Sequence, residues 1–552
     1  MPRLSRLLAL LILVLPSFAG AQTVGSPNAA TADPPVPRPS TTPCVVQLFS
    51  GYVFADFSPK PFSYAPACPG PWAKVVLEAD FSVTAGRQFD RTAQIALGHV
   101  NIYYGTTAEP SRTVSPSWHV ERDLTDYGAL FATAQSGDVN LGNLVNGTYT
   151  GILSGSARLV FYPASAAAPA PRAADAVLPL SDAPGGAALL DTSANVLAPT
   201  FSLPRNVEAA YLDVIPQSQS ADEFWFTCVP DDVADTLFSC PGTSFREVEI
   251  TIDGRPAGVA PVYPWLYTGA IDPLLWRPIP AVQTLNFVPY RVDLTPFAGV
   301  LSNGQPHQVG VQVYNANHYF LVAASLLLYL DHGSSQVTGA VTQNTLGAAV
   351  PPAIQENLAT GADGSVTGTV STTSERRFTI AGYVNTSHGR VETTLKQSLS
   401  FSNQQSFVVS DTRYLQNIVQ GTKVSAATFT KGDHSVSHSE KQFSFPLNLG
   451  IDLVAHPDGS LDQTTTVDQR YDVQEARGGN GGDSGLSRVS NAIHSADTLL
   501  FDPSGALTGF RDRNSSQTYS ARDTNGYCYN RSITSADGLL TSVSDGQGCG
   551  NR

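Results

Sequence analysis

Along most of this chain, apolar residues recur at every second position. In KVVLEADFSV (74–83) and QIALGHVNIYY (94–104) the spacing is that of strands, bounded by Gly and Pro. The pattern returns between 201 and 333. In REVEITIDG (246–254), Val248, Ile250 and Ile252 share one face, and Glu247, Glu249 and Thr251 share the other. HQVGVQVYN (307–315) repeats it with Val309, Val311 and Val313. From 334 to 552 the alternation continues with more Ser, Thr and Asn, as in SVTGTVSTTSERRFTIAGYV (365–384) and GRVETTLKQSLSFSNQQSF (389–407). Helical periodicity is almost absent, so the pattern predicts an all-β protein.

Two stretches break the alternation. Residues 22–43 are rich in Pro, Ala, Thr and Ser and read as a flexible leader. Residues 164–200 are an Ala/Pro-rich run without period and read as a linker. The predicted domains are therefore 44–163, 201–333 and a C-terminal β-rich region, 334–552. The first two echo each other. ERDLTDYGALF (121–131) resembles RVDLTPFAGVL (291–301), and FDRTAQIAL (89–97) resembles FREVEITID (245–253). Two copies of one β unit of about 130 residues are expected, the size of a jelly roll, with a cleft where they meet.

Composition narrows the setting. Arg3 and Arg6, the apolar run Leu7 to Leu15 and the small residues at Ala19-Gly20-Ala21 form a secretory signal, so residues 1–21 are left out of the fold. No later run is long enough to span a bilayer, and a secreted or periplasmic protein is expected. Lys and Arg number 32 against 46 Asp and Glu, a formal net charge of −14. That field disfavours nucleic acid and anionic membranes as partners, and no obligate protein partner is indicated. A surface carried by neutral polar groups suits an enzyme working in acid. The six cysteines form three local couples, Cys44 with Cys68, Cys228 with Cys240 and Cys528 with Cys549, the simplest disulfide pairing for an exported chain. Neither CxxC nor clustered histidine points to zinc, and no Walker, GxSxG or HExxH motif is present.

Two places carry candidate chemistry. Asp90 and Arg91, in GRQFDR, stand at a loop-to-strand entry. The local reading is a structural ion pair, in which Arg91 favours the ionised carboxylate. In SADEFWFTC (220–228), Asp222 and Glu223 precede three aromatics. They read either as a solvated turn before a core strand or as a partly desolvated acid site. One carboxylate from each β unit would meet across the cleft. Trp118, Trp225, Trp265 and Trp276, with Arg277, are candidate substrate-binding residues. Several of these tryptophans stand in Pro-rich, loop-like sequence, although core packing is the commoner fate of a Trp.

These segments resemble the peptide:N-glycosidase A family, the peptide-N4-(N-acetyl-β-glucosaminyl)asparagine amidases. GRQFDR, WHVERDLTDY, LPRNVEAAYLDV, DEFWF, FREVEITIDG, YTGAIDPLLWRPI and YCYNRSITSADG carry the likeness, in order, from about residue 43 to the C-terminus. The chain departs from the family at PVYPWLYTG and in its Ala/Pro-rich run. The resemblance implies hydrolysis of the β-aspartylglucosaminyl amide bond of N-glycopeptides or N-glycoproteins, with release of the glycan as a glycosylamine and conversion of Asn to Asp. It also implies kinship with the two-jelly-roll PNGase F group, whose aromatic-Asp-Arg motif matches Phe89-Asp90-Arg91 and whose second-roll glutamate matches Glu223, with Asp222 competing. By this likeness Asp90 activates water, Arg91 keeps it ionised, and Glu223 polarises or protonates the amide. Glu121 and Trp118 assist or hold the chitobiose core, with no metal or cofactor. A lectin-like glycan binder and an endo-β-N-acetylglucosaminidase cutting the chitobiose core are the competing readings.

Overall fold

In the computed structural model, which describes residues 22–480 and 484–549, strands dominate and helices are limited to short turns. The proposed signal at 1–21 lies outside the described residues. Among the described residues no helix is long and apolar enough to cross a membrane.

Eight strands make the first sandwich: β1 (Cys44–Phe54), β2 (Lys60–Tyr64), β3 (Trp72–Val83), β4 (Thr92–Leu97), β5 (Val100–Thr106), β6 (Ser117–Asp123), β7 (Gln135–Leu141) and β8 (Leu153–Pro163). They form two antiparallel sheets, ordered β1-β8-β3-β6 and β2-β7-β4-β5. Leu77, Phe81, Ile95, Ile102, Val139 and Phe161 meet between them. The second sandwich has β9 (Ala176–Pro179), β10 (Ala187–Leu190), β11 (Thr200–Phe201), β12 (Val207–Ser218), β13 (Glu247–Ile252), β14 (Arg255–Pro261), β15 (Tyr290–Asp293), β16 (His307–Tyr314) and β17 (Phe320–Leu330). Its sheets run β10-β17-β12-β15, with β9 also on β17, and β11-β16-β13-β14. Strand for strand this is the order of the first sandwich.

The sequence echo has a physical basis. In each copy an Asp ends an edge strand, and its carboxylate accepts the N–H of the Thr two residues on: Asp123 to Thr125 at 3.0 Å, Asp293 to Thr295 at 2.9 Å. The intervening Leu124 and Leu294 donate to the neighbouring strand, to Val75 and Ala210. DLT is thus a turn that caps the edge strand and starts a short 3-10 helix.

The remaining strands form one 11-stranded antiparallel sheet: β18 (Thr338–Asn344), β19 (Ala353–Thr360), β20 (Val366–Thr386), β21 (Gly389–Ser410), β22 (Arg413–Lys431), β23 (Val436–Ala455), β24 (Leu461–Gly479), β25 (Gly485–Phe501), β26 (Leu507–Asp523), β27 (Cys528–Ala536) and β28 (Leu539–Asp545). Several are about four times the usual strand length. Alternation along β20 buries Phe378 and Ile380 and exposes Glu375 and Arg377. The buried face is continuous with the core of the second sandwich, joining Leu399, Val424 and Phe445 to Val248, Ile250 and Trp265.

Under that cover Glu247, on the second face of β13, is buried and pairs with Arg376 of β20 at 2.9 Å. Two expectations are corrected. The Ala/Pro-rich run is not a free linker, because its β9 and β10 pair with β17, supplying the strands that the second sheet lacks otherwise. Four-residue strands are too short to show alternation. Nor is 22–43 a flexible leader. Ala32 N donates to Gln517 Oε1 at 2.7 Å, Asp33 accepts from Asn491, Val36 N donates to Glu121, and Arg38 pairs with Glu78 and Glu121. It is a strap from the C-terminal sheet to the first sandwich. Disulfides close Cys44–Cys68, Cys228–Cys240 and Cys528–Cys549.

Candidate active site

Where the sandwiches meet, hydrogen bonds fix one against the other. Tyr104 Oη donates to Gln217 Oε1 at 2.7 Å, Gln219 Nε2 donates to Thr92 Oγ1 at 3.0 Å, and Thr268 Oγ1 donates to the Thr107 carbonyl at 2.6 Å. Thr92 follows the FDR motif and Gln219 precedes SADEF, so these bonds set the two motifs facing each other.

Asp90 is half-buried on the loop entering β4. Burial pushes its carboxyl up to about 6, against the pull of its own backbone N–H and of Arg91. Arg91 pulls in the direction expected of it. Its Nη2 donates to Gln88 Oε1 at 2.8 Å, and its charge does not overcome desolvation. Glu223 is also half-buried, on the tight turns after β12. Burial and then the charge of Asp90 raise it to about 7. Tyr267 and Tyr319 flank it closely enough for their hydroxyls to feel its charge.

A third carboxylate completes the group. Glu109, buried beyond β5, accepts the Asp90 N–H at 3.2 Å and pairs with Arg277 Nη2 at 2.8 Å. Burial, then Asp90, raises it to about 7. Sequence reasoning missed Glu109 because Glu-Pro in TTAEPS looks like a surface turn. The buried run of β5 in fact continues through Thr107 and Ala108 to Glu109. Gly269 packs on this pair: a methyl group there would lie 2.4 Å from Asp90 Oδ1 and 2.6 Å from Glu109 Oε1. Arg277 and Trp276 line a cavity of about 230 Å³ together with Glu109.

Other candidates go elsewhere. Asp222 is fully buried, pairs with Arg246 at 2.7 Å, and accepts the N–H groups of Asn317 and His318. It holds the turn that presents Glu223 and does not compete with it. Glu121 is spent on Arg38, His119 and Val36 N, anchoring the strap. Trp118 stacks on Phe81 inside the first sandwich. Trp225 packs between Phe226 and Phe401, and Trp265 against Phe287 at 4.5 Å. All three are buried: Trp118 on the inward face of β6, and Trp225 and Trp265 on segments that fold inward beneath the C-terminal sheet. Among the described residues, Glu208, Asp331 and His388 bring ligand atoms within 4.8 Å of one another. Glu208 is already paired with Arg172 and Asp331 with Ser387.

Chemically, two half-buried carboxyls raised by burial, one close enough for its charge to act on the other, are suited to act as a base and an acid. The chain is 29% identical over 544 residues to peptide-N4-(N-acetyl-beta-glucosaminyl)asparagine amidase A of Prunus dulcis, covering 94% of this chain and 92% of that protein. Among solved structures it is similar to PNGase F, a glycosylasparaginase from Flavobacterium meningosepticum, at 12% identity over 52% of this chain and 96% of that one, with a TM-score of 0.35. It is similar to PNGF-II at 12% identity over 52% and 65%, with a TM-score of 0.37. The family model "PNGase_A C-terminal domain" matches residues 369–447, and "Peptide N-acetyl-beta-D-glucosaminyl asparaginase amidase A" matches 34–346. The match takes in both sandwiches and all three carboxylates, and the chain belongs to the peptide N-acetyl-β-D-glucosaminyl asparaginase amidase A family.

Proposed function

We propose that this protein is an amidase that hydrolyses the bond between an asparagine side chain and its N-linked glycan, in glycopeptides or glycoproteins. The observation that carries the reading is that Asp90 and Glu223, from two sandwiches pinned together by Gln219 and Thr92, lie close enough for the charge of Asp90 to raise the Glu223 carboxyl. Family membership supplies the reaction class.

Asp90, ionised first, takes a proton from water as that water attacks the asparagine side-chain carbonyl. Glu223, still protonated, donates to the departing nitrogen as the carbon–nitrogen bond breaks. The peptide keeps an aspartate and the glycan leaves as a glycosylamine, so atoms and protons balance. Glu109 holds the Asp90 backbone through its N–H and is itself held by Arg277. No metal enters this scheme, and the rate in EDTA is expected to equal that without it. The three disulfides and the signal-like sequence of residues 1–21 support an exported protein.

Mass spectrometry of a defined N-glycopeptide after incubation with the enzyme tests the reading. Loss of the whole glycan with Asn converted to Asp is expected. A peptide that keeps one GlcNAc, or is unchanged, overturns it. Asp90→Asn should lower turnover by about 10²–10⁴-fold without a change in fold; full activity in that variant removes Asp90 from the mechanism.

A further inference from the structure

The outward face of the C-terminal sheet differs from the face packed on the sandwich. Two adjacent rows of polar side chains cross it in register. One runs Glu375, Ser400, Lys423, Ser444, Asp472 and Ser490, each directly opposite the next, from β20 to β25. The row beside it starts at Arg377 and reaches Gln474, Arg488 and Arg522 on β24 to β26. A single cavity of about 780 Å³ touches residues from every strand between β20 and β27. One open sheet can line such a cavity only by curling, so this face is concave.

Its charge runs against that of the chain. Four cations, Arg377, Lys423, Arg488 and Arg522, face two acids, Glu375 and Asp472. Asp472 already accepts Ser490 Oγ at 2.5 Å, and Glu375 lies 3.8 Å from Arg377. Among the described residues, no carboxylate lies within 4.0 Å of the charged nitrogens of Lys423, Arg488 or Arg522. Arg488 and Arg522 are direct cross-strand partners. Like charges so placed destabilise a sheet, and among the described residues neither guanidinium has an ion-pair partner within 4.0 Å. A chain of net charge −14 has spent scarce cations here.

We infer that this concave face is a second binding site, whose ligand is a carboxylate-bearing oligosaccharide. The guanidinium pair matches carboxylates through forked hydrogen bonds. The Ser, Gln and Asn side chains between the charges offer the donors and acceptors that sugar hydroxyls need. A peptide adding itself as a strand needs an open sheet edge, and this is a face. A nucleic acid needs a denser run of cations and stacking aromatics along the groove. The site goes beyond the amidase reading and stands without it, since it shares no residue with the cleft. Its effect would be to hold the enzyme on acidic glycans and raise the local concentration of substrate carried there.

Calorimetric titration of the full chain with tetragalacturonate is the test, with cellotetraose as the neutral control and hexaglutamate as the peptide control. Tetragalacturonate is expected to bind, more weakly as salt rises, and cellotetraose and hexaglutamate to bind at least about tenfold more weakly. The double variant R488Q/R522Q, and separately Lys423→Gln, should weaken tetragalacturonate binding by about tenfold or more while keeping the wild-type Tm. Release of a neutral glycan from a glycopeptide should be unchanged in both. The inference is overturned if tetragalacturonate gives no heat, if both variants bind it as the wild type does, or if hexaglutamate binds equally well. Each outcome is read apart from amidase activity, so failure here leaves the cleft assignment standing.

Discussion

At the scale of single residues, the proposed chemistry depends on keeping two acids unequal. Asp90 near 6 and Glu223 near 7 leave a band in mildly acidic solution where the first is ionised and the second protonated. A bell-shaped profile of kcat/KM is expected, rising through about 6 and falling through about 7, and a flat profile from pH 4 to 9 would contradict it. Gly269 gives a sharper check. Its Cα approaches both Asp90 and Glu109, and a methyl group there must push carboxylates and not backbone. Gly269→Ala should therefore keep the fold and lose about 10²-fold in kcat, because misplacing a reacting group by an ångström costs about that much. Asp90 and Glu223 were singled out by the family resemblance at GRQFDR and DEFWF and not by their local patterns, and the fold brings the charge of Asp90 to bear on Glu223. Glu109 was not singled out, since its partner Arg277 is far along the chain and Pro110 disguises a buried segment as a turn. The reverse error, Asp222 read as a rival acid, arose because two adjacent carboxylates look alike until one is seen sealed against Arg246.

At the scale of elements, sealing has a consequence that can be weighed. Removing the charge of Asp222 leaves Arg246 buried without its partner and frees the turn that carries Glu223. Asp222→Asn should cost about 3–5 kcal/mol in denaturant unfolding and take activity with it; a loss under ~1 kcal/mol would show the pair to be dispensable. Long alternating strands were the most legible elements, and Val248, Ile250, Val309 and Val311 all point to the core as their spacing predicts. The DLT echo also marked a true equivalence, since both copies cap the same edge strand. What stayed hidden were β9, β10 and the strap. They depend on partners supplied by β17, β25 and β26, and short or irregular segments carry no period of their own. Deleting residues 22–38 should lower Tm, because Glu78 and Glu121 would lose Arg38 while remaining largely buried; an unchanged Tm would mean that the strap is ornamental to stability.

At the scale of the molecule, the C-terminal sheet explains why Trp225 and Trp265 are buried and how the acids beneath it behave. Glu247 is raised by burial to about 7, Asp293 is raised too, and so are the carboxyls of the cleft. A group raised in the folded state holds its proton there at pH values where the unfolded chain has released it. The folded protein thus binds more protons between about pH 4 and 7, and stability is greatest below the unfolded values and declines as pH rises through the folded ones. Glu247 alone accounts for on the order of 3 kcal/mol of that decline. Thermal unfolding should give a higher Tm at pH 5 than at pH 8, and the opposite order would contradict the burial of these groups. The strap adds something that stability measurements do not register. Ala32 is bound by a side chain 485 residues further along, so one end of the strap waits for a strand synthesised much later. Arg38 and Val36 can dock on Glu78 and Glu121 as soon as the first sandwich forms, but the end of the strap at Ala32 has its partner only once β26 has left the ribosome, and a chain cut short before that strand leaves that end loose however complete its cleft.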